Sequence, residues 1–254
     1  MGPGAKPSGG PPSVPGPEIR EREGEHVKVV LHNEQAEPHT IHFHGVDNSF
    51  AGDGTPDVSQ KTVEQGETFT YEFDAPPGTY FYHCHVEPDR HPQMGLYGAF
   101  IVEPREATAR YDGEFVLMLS ERDPRLSVAE AREAGQYPGT MAEGVQVNGE
   151  YDTLERYPAS FTINGKIDSA ISPLRVKKGG RYLIRLINAG DDVHSLHFHG
   201  HHVQAIASDG AALAKAVAAQ PDWPRLVQLV DRLRADVERA RDAMAQHQHE
   251  HPHK

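Results

Sequence analysis

The chain contains a single cysteine, Cys84, and no long apolar run. One cysteine among 254 residues excludes an intramolecular disulfide, so Cys84 needs another explanation. No stretch of about 18 consecutive apolar residues occurs, and we therefore expect no membrane-spanning helix. The 25 lysine and arginine residues form no cluster and are outnumbered by 37 acidic residues, which gives a net charge of −12. This balance argues against nucleic acid or an anionic lipid surface as a partner.

The N-terminal segment lacks the apolar core that secretory signals carry. Residues 1–17 consist mostly of glycine, proline and serine. We expect this segment to be disordered. We also expect either an intracellular protein or a mature chain from which a leader has been removed.

Histidine, by contrast, is abundant, and its 17 copies follow a pattern that repeats. Residues 18–45 align without a gap on residues 173–200, and the ends of the two segments match best. His39-Thr-Ile-His-Phe-His-Gly45 corresponds to His194-Ser-Leu-His-Phe-His-Gly200. The chain therefore contains two copies of one domain.

Short alternating strands separated by proline and glycine turns predict that this domain is a β-sandwich. After Gly210 the pattern changes, because apolar residues from Leu226 recur at three- and four-residue steps and predict a helix that reaches Met244. The resulting division is a disordered segment over 1–17, a first domain over 18–119, a linker over 120–160, a partial second domain over 161–210, and a helix with a histidine-rich tail over 211–254.

The motif His83-Cys84-His85 predicts a metal site. On a strand, His83 and His85 point to one face and Cys84 to the other. The same alternation places His42 and His44 on one face, with His39 tending to the opposite one. His91 and Met94 follow Cys84 on a loop, and two histidines, a thiolate and a weak methionine are the ligand set of blue copper.

Each of these features also has an ordinary explanation. A free cysteine is usually a small buried apolar residue, and a His-x-His pair is usually a surface feature. Zinc is the main alternative metal, but zinc sites rarely include methionine and usually contain more cysteines. The combination of all the motifs favours copper.

These motifs resemble those of the multicopper oxidases, specifically the small two-domain, laccase-like kind with its mononuclear copper in the first domain. Gly95-Leu-Tyr-Gly-Ala-Phe-Ile-Val-Glu-Pro104 and Ile163-Asn-Gly-Lys166 add to the resemblance, which spans roughly residues 14–210. It implies an all-β protein of two cupredoxin-like (plastocyanin-like) Greek-key β-sandwich domains, the second incomplete and followed by a C-terminal α-helix.

The resemblance also implies the role of each motif residue. The type 1 copper would be held by His39, Cys84, His91 and Met94. The type 2 and type 3 coppers of a trinuclear cluster would be held by His42, His44, His83, His85, His197 and His199. Asp53 resembles an acid that helps to deliver protons, although a plain turn aspartate is an equal alternative. His194 matches the type 1 histidine but has no second cysteine, so a structural or supporting role is expected.

The implied activity is oxidation of a small reducing substrate, such as a phenolic compound or a metal ion, coupled to reduction of dioxygen to water. The family commonly places the cluster between subunits of a homotrimer and exports the protein, so we expect an extracytoplasmic location, either periplasmic or secreted. Copper nitrite reductase is an alternative, but those enzymes lack the second histidine of the His-Cys-His motif and carry aspartate where His42 stands.

Two departures from the family keep a third alternative open. The spacing Cys-x6-His-x2-Met replaces the usual Cys-x4-His-x4-Met, and the motifs supply six of the eight cluster histidines. The alternating histidines from His247 to His253 are expected to form a solvated tail rather than to supply the missing pair. A non-catalytic copper-binding or electron-transfer module with an incomplete cluster therefore remains a hypothesis.

Overall fold

The computed structural model describes residues 12–106, 109–123, 158–208 and 211–212. These segments contain eleven strands and two short 3-10 turns, at Phe50–Gly52 and Asp168–Ala170. The strands are β1 (Ile19–Arg22), β2 (His26–His32), β3 (His42–His44), β4 (Thr68–Asp74), β5 (Gly78–His83), β6 (Tyr97–Glu103), β7 (Gly113–Arg122), β8 (Ser160–Ile163), β9 (Tyr182–Asn188), β10 (Ala207–Ser208) and β11 (Ala211–Ala212). The prediction of an all-β, cupredoxin-like fold is confirmed.

The first repeat is a sandwich of two sheets. One sheet has the strand order β1-β6-β5-β3, and the other consists of β2 and β4, which are antiparallel. Alternation on β4 sends Tyr71 and Phe73 inward, where they pack against Phe43 and Phe100 from the facing sheet. Tyr71, Phe43 and Phe100 are fully buried. This aromatic core fixes which face of β3 and β5 is left for other side chains.

A third sheet has the order β8-β7-β9 and includes β9 of the second repeat; in it β7 is antiparallel to β8 and parallel to β9. Its Met118 and Ile187 pack against Tyr97 and Ala99 of β6. Strand β6 is therefore buried on both faces, which explains why it consists almost entirely of apolar residues. The face of the first sheet that does not cover the aromatic core covers the second repeat instead.

Arg185 on β9 adds a polar connection between the repeats. Its guanidinium donates to Glu114 at 2.5 Å and to Thr79 of β5 at 2.8 Å, and it lies 3.2 Å from Glu103 of β6. Arg20 of β1 pairs with both of the same glutamates. Two arginines thus share two carboxylates across the boundary between the repeats.

The N-terminal segment has defined contacts where the structure describes it. The Tyr82 hydroxyl donates to the Pro17 carbonyl at 2.7 Å. The side chain of Val14 lies so close to Gly95 that a Cβ at Gly95 would overlap it. Val14, Gly16 and Pro17, which the sequence placed in a disordered segment, therefore lie against the first repeat.

Strand β7 includes Phe115–Leu119, which the sequence analysis placed at the end of the first domain. In the structure β7 pairs with β8 and β9. The limits of the two domains stay a prediction. Residues 124–157 of the linker expected over 120–160 lie outside the described residues, as do the helix near Leu226 and the histidine tail. In the described segments no helix has the length and apolar character needed to cross a membrane.

Candidate copper centre

Cys84, His39 and His91 form one of two metal-sized groups in the described part of the chain. Cys84 Sγ lies 3.5 Å from His39 Nδ1 and 3.3 Å from His91 Nδ1. The three donor atoms all lie within 4.8 Å of one another. Cys84 and His91 are buried, and His39 is half-buried. One sulfur and two imidazole nitrogens at this spacing match the trigonal donor set of blue copper.

Backbone hydrogen bonds hold these three residues together. Cys84 follows β5 directly, and its amide donates to the Leu96 carbonyl at 3.0 Å. The Leu96 amide in turn donates to the His91 carbonyl at 3.1 Å, which closes the loop that carries His91. His39 exchanges two backbone hydrogen bonds with Val63, at 3.0 and 3.1 Å. The three donors thus lie on separate segments, and hydrogen bonds to other parts of the chain hold each segment in place.

His42, His44 and His83 form the second group, with one donor atom from each within 4.8 Å of the others. The ring of His85 lies 5.2 Å from that of His42 and 5.7 Å from that of His83. His44 stacks on Phe81 at 4.6 Å. Four imidazoles are therefore gathered on the sheet face opposite the aromatic core.

The pairing of β3 with β5 produces this arrangement. His42 lies opposite His83, and Phe43 lies opposite Tyr82. Because Phe43 is fully buried in the aromatic core, alternation directs His42 and His44 to the other face. A slip of one residue would exchange the two faces, so the burial of Phe43 also fixes the register of the histidines.

Two of the clustered imidazoles have their orientation set by a carbonyl oxygen. The Nδ1–H of His42 donates to the backbone carbonyl of Asp53 at 2.6 Å, and the Nδ1–H of His83 donates to that of Cys84 at 2.9 Å. In each ring Nε2 is then the nitrogen with a free lone pair. This is the usual way in which a protein fixes the tautomer of a metal-binding histidine.

Asp53 lies beside His42 because the backbone at Gly54 passes close to the carbonyl group of Ile41. Gly54 has a φ of +83°, and a Cβ there would overlap the carbonyl oxygen of Ile41. The Asp53 carboxylate lies 3.5 Å from His42 Nδ1 and accepts a hydrogen bond from the Thr55 hydroxyl. Asp53 is 40% exposed, so it connects the histidine face with solvent.

Burial shifts the pKa of several side chains in the two groups. It lowers the pKa of His83 to about 4, against the opposing effect of the hydrogen bond to the Cys84 carbonyl. Burial also lowers the pKa of His39, His44 and His91. These imidazoles are therefore neutral near pH 7 and have lone pairs to donate. Burial raises the pKa of the Cys84 thiol, so metal binding there must release a proton.

The remaining motif residues lie outside the two groups. Met94 is 40% exposed, whereas His91 of the same loop is 8% exposed. His197 and His199 are exposed, and their ring centroids lie 4.5 Å apart. Neither metal-sized group found among the described residues includes them. Their roles as ligands, and that of Met94, stay predictions.

The sequence analysis did not identify Glu121, which is 1% exposed on β7 and pairs with His194 at 3.0 Å. The sequence does contain a sign of this residue, because Glu121 lies on the same face of an apolar strand as Leu117 and Leu119. The expectation of a supporting role for His194 agrees with this contact.

Two models of a family described as multicopper oxidase match the chain, over residues 11–107 and 141–244. Together these ranges cover more than half of the sequence. The chain belongs to the multicopper oxidases.

This multicopper oxidase is 30% identical over 215 residues to the multicopper oxidase MmcO of Mycobacterium tuberculosis, a match that covers 78% of the chain and 42% of that protein. It is 34% identical over 178 residues to an L-ascorbate oxidase of Cucurbita pepo var. melopepo, covering 64% of the chain and 30% of that protein. The solved blue copper oxidase from Nitrosomonas europaea superimposes with a TM-score of 0.66 at 37% identity, over 80% of this chain and 60% of that one. The chain therefore spans less than half the length of these two sequence relatives.

Copper is the cofactor of the family, and the donor atoms of this multicopper oxidase fit it. The group around Cys84 offers a soft sulfur with two imidazoles, which suits a type 1 site. The group around His83 offers imidazoles alone, which suit type 2 and type 3 copper. The two groups lie on opposite sides of one peptide segment.

Proposed function

We propose that this protein is a laccase-like oxidase that couples one-electron oxidation of a small reducing substrate to the reduction of dioxygen to water. The observation that carries the proposal is the separation of three consecutive side chains. Cys84 belongs to one metal-sized group and His83 to the other, and the ring of His85 lies beside that of His83. Bound copper would supply reversible one-electron chemistry at the first group and dioxygen reduction at the second.

The backbone between these residues provides a short covalent path. An electron entering at the Cys84 sulfur reaches His83 or His85 through the bonds of adjacent residues, without crossing a gap. Because the pKa of His83 is lowered by its burial, the ring stays neutral and keeps its lone pair through the range from neutral to mildly acidic pH. The His83 end of the path therefore stays available to copper over that range of pH.

On the substrate side, His39 is half-buried and a carboxylate lies next to His91. Glu87 Oε2 is 3.9 Å from His91 Nε2, and its side chain is 48% exposed. In the proposed function, the reductant approaches this edge of the first group.

On the dioxygen side, Asp53 is the proposed proton donor. Its carboxylate is close to His42 and partly exposed, so it can exchange protons with solvent and pass them along the histidine face. In this proposal its role is to bind and release protons, while the backbone carbonyl of Asp53 orients the ring of His42.

We further propose that the cluster is completed between subunits of a homotrimer in an extracytoplasmic compartment. The support for completion between subunits is that His197 and His199 are exposed, while the four imidazoles of the first repeat share one face. The homotrimer and the compartment are proposed from the resemblance to the family. The same exposure supports a second candidate, a copper-binding or electron-transfer module whose cluster stays incomplete.

The deciding experiment loads the protein with copper and measures copper per chain, the visible and electron paramagnetic resonance spectra, and oxygen consumption with a phenolic reductant. We expect a blue protein with more than one copper per chain and steady oxygen uptake. His85→Ala should stop oxygen uptake and leave the blue band. One copper per chain with no oxygen uptake would support the module, and nitrite consumption in place of oxygen uptake would support a nitrite reductase.

A further inference from the structure

The segments that carry the histidines of the two repeats begin with the same side-chain turn. In the first repeat Asn33 Nδ2 donates to the Glu37 carbonyl at 2.7 Å, and Asn33 Oδ1 accepts from the Gln35 amide at 2.9 Å. In the second repeat Asn188 Nδ2 donates to the Asp192 carbonyl at 2.9 Å, and Asn188 Oδ1 accepts from the Gly190 amide at 3.1 Å. Both asparagines bond the residues two and four positions later.

The two segments also end alike. The Val46 amide donates to the Phe43 carbonyl at 3.3 Å, and the matching His201 amide donates to the Phe198 carbonyl at 3.2 Å. The glycines at these ends, Gly45 and Gly200, both have positive φ values, of 83° and 69°. The histidine-bearing segment therefore begins and ends alike in the two repeats, and the copies differ in what holds the middle of the segment.

In the first repeat the middle of the segment is held at the type 1 group. His39, six residues after Asn33, faces the Cys84 sulfur at 3.5 Å. The second repeat has no cysteine to serve this purpose, because Cys84 is the only one in the chain. The residue that corresponds to His39 is His194, and its Nε2–H donates to Glu121 Oε2 at 3.0 Å.

The Glu121 carboxylate holds more than the ring of His194. Its Oε1 accepts from the Asp191 amide at 2.6 Å and from the Asp192 amide at 3.3 Å. Glu121 is 1% exposed, and a carboxylate so deeply buried is stable only where donors saturate its oxygens. Gly190 leaves the room for it, since a Cβ there would overlap Glu121 Oε2.

We propose that Glu121 is a positioning residue for His197 and His199. By fixing His194 and the turn before it, the carboxylate sets where the exposed pair presents its nitrogens. In the first repeat the pairing of β3 with β5 performs this task for His42 and His44. His197 follows His194 by three residues, so little chain is left to take up a displacement. The copper-binding part of this proposal rests on the proposed function, whereas the anchoring of the segment by Glu121 does not.

The anchoring is tested on metal-free protein by hydrogen–deuterium exchange of peptides that span residues 189–199. Glu121→Leu removes every acceptor, and Gly190→Ala displaces the carboxylate without removing it. We expect both to speed exchange in this segment at least tenfold and to leave strands β4 and β5 unchanged. Glu121→Gln, which keeps one acceptor oxygen, should have a smaller effect. Glu114→Gln, on the same strand, is the matched control and should leave the segment unchanged.

The consequence for copper is tested on the same variants after loading. We expect the blue band of Cys84 to be retained and the copper bound beyond the type 1 site to fall at least fivefold in Glu121→Leu and Gly190→Ala. Exchange that stays within twofold of wild type in these two variants would overturn the anchoring. Faster exchange with undiminished copper would overturn the positioning of His197 and His199.

The remaining outcomes separate this proposal from the proposed function. If Glu121→Leu also loses protection in β7 and β9, it has unfolded the second repeat, and Gly190→Ala and Glu121→Gln decide the matter. If wild-type protein binds only type 1 copper, the proposed oxidase function fails. The exchange data on metal-free protein still decide whether Glu121 anchors the segment.

Discussion

Replacing Arg185 with methionine should measure how strongly the two repeats are held together. The side chain of Arg185 is 9% exposed, and its guanidinium reaches Glu114, Glu103 and Thr79 from β9. Methionine keeps most of the apolar stem and removes the charge with all of its donors. Among the described residues, Glu103 and Glu114 then keep Arg20 as their cationic partner.

The expected cost lies between two limits. Removing one partner of a fully buried ion pair costs roughly 3–5 kcal/mol, whereas an exposed pair is worth about 1 kcal/mol or less. The side chains of Glu103 and Glu114 are 32% and 28% exposed, so water screens the carboxylates in part. We therefore expect Arg185→Met to destabilise metal-free protein by about 2–3 kcal/mol, which lowers the Tm by about 5–10 °C for a unit of this size.

The assay is thermal unfolding of metal-free protein followed by circular dichroism. Arg20→Met is the matched control, because Arg20 contacts the same two glutamates but its side chain is 34% exposed. The control should lose less than half as much stability as Arg185→Met. Equal losses in the two variants, or a loss below about 1 kcal/mol for Arg185→Met, would show that burial of the guanidinium does not set its contribution.

We also expect the difference in stability between wild type and Arg185→Met to depend on pH. Burial alone would raise the pKa of Glu114, but the hydrogen bonds and charges of Arg185 and Arg20 outweigh it and lower the pKa. A carboxylate whose pKa is lowered by folding stabilises the protein above its ordinary pKa and loses that contribution as the pH falls through the folded value. The difference in Tm between wild type and Arg185→Met should be constant near neutral pH and should shrink below about pH 4.

Three further predictions concern the histidine and cysteine groups. Cys84→Ser should abolish the intense visible band of copper-loaded protein and leave the circular dichroism of the fold unchanged, and a blue Cys84→Ser protein would contradict the type 1 assignment. Gly54→Ala should displace the turn that holds Asp53 against His42, because Gly54 has a left-handed φ and an added Cβ would overlap the Ile41 carbonyl. We expect the free energy of unfolding to fall by about 1–3 kcal/mol and the cluster copper to decrease, with the blue band retained. Metal-free protein should lose stability as the pH falls from about 6.5 towards 4, because the pKa of His83 is lowered in the folded protein and the unfolded chain takes up the proton first. His83→Gln should flatten this part of the profile of stability against pH.

The local pattern of the sequence was sufficient to predict how the site residues are divided between two faces. Alternation along a strand depends only on neighbouring residues, so His83 and Cys84 were assigned to opposite sides without any knowledge of the partner strand. The second histidine segment was predicted from the sequence repeat, which likewise needs no knowledge of the fold. The structure places His39 with Cys84, and His42 with His83, as that reasoning predicts.

Contacts between distant parts of the chain could not be predicted in this way. The pairing of β7 with β9 joins residues about 70 positions apart, and nothing in an apolar run such as Val116–Leu119 identifies its partner strand. The role of Glu121 has the same origin, because its three donors lie some 70 residues further along the chain. Exposure of Met94 likewise depends on how its loop closes against Leu96, which the ligand spacing does not reveal.

The contact of Val14 with Gly95 has an evolutionary consequence. Because the valine methyl groups occupy the space of a side chain at position 95, any side chain at that position would also require a smaller residue at position 14. A smaller residue at position 14 would relieve the overlap, but Gly95 has a φ of +105° and would still resist replacement. Among related chains we therefore expect position 14 to vary while position 95 stays glycine.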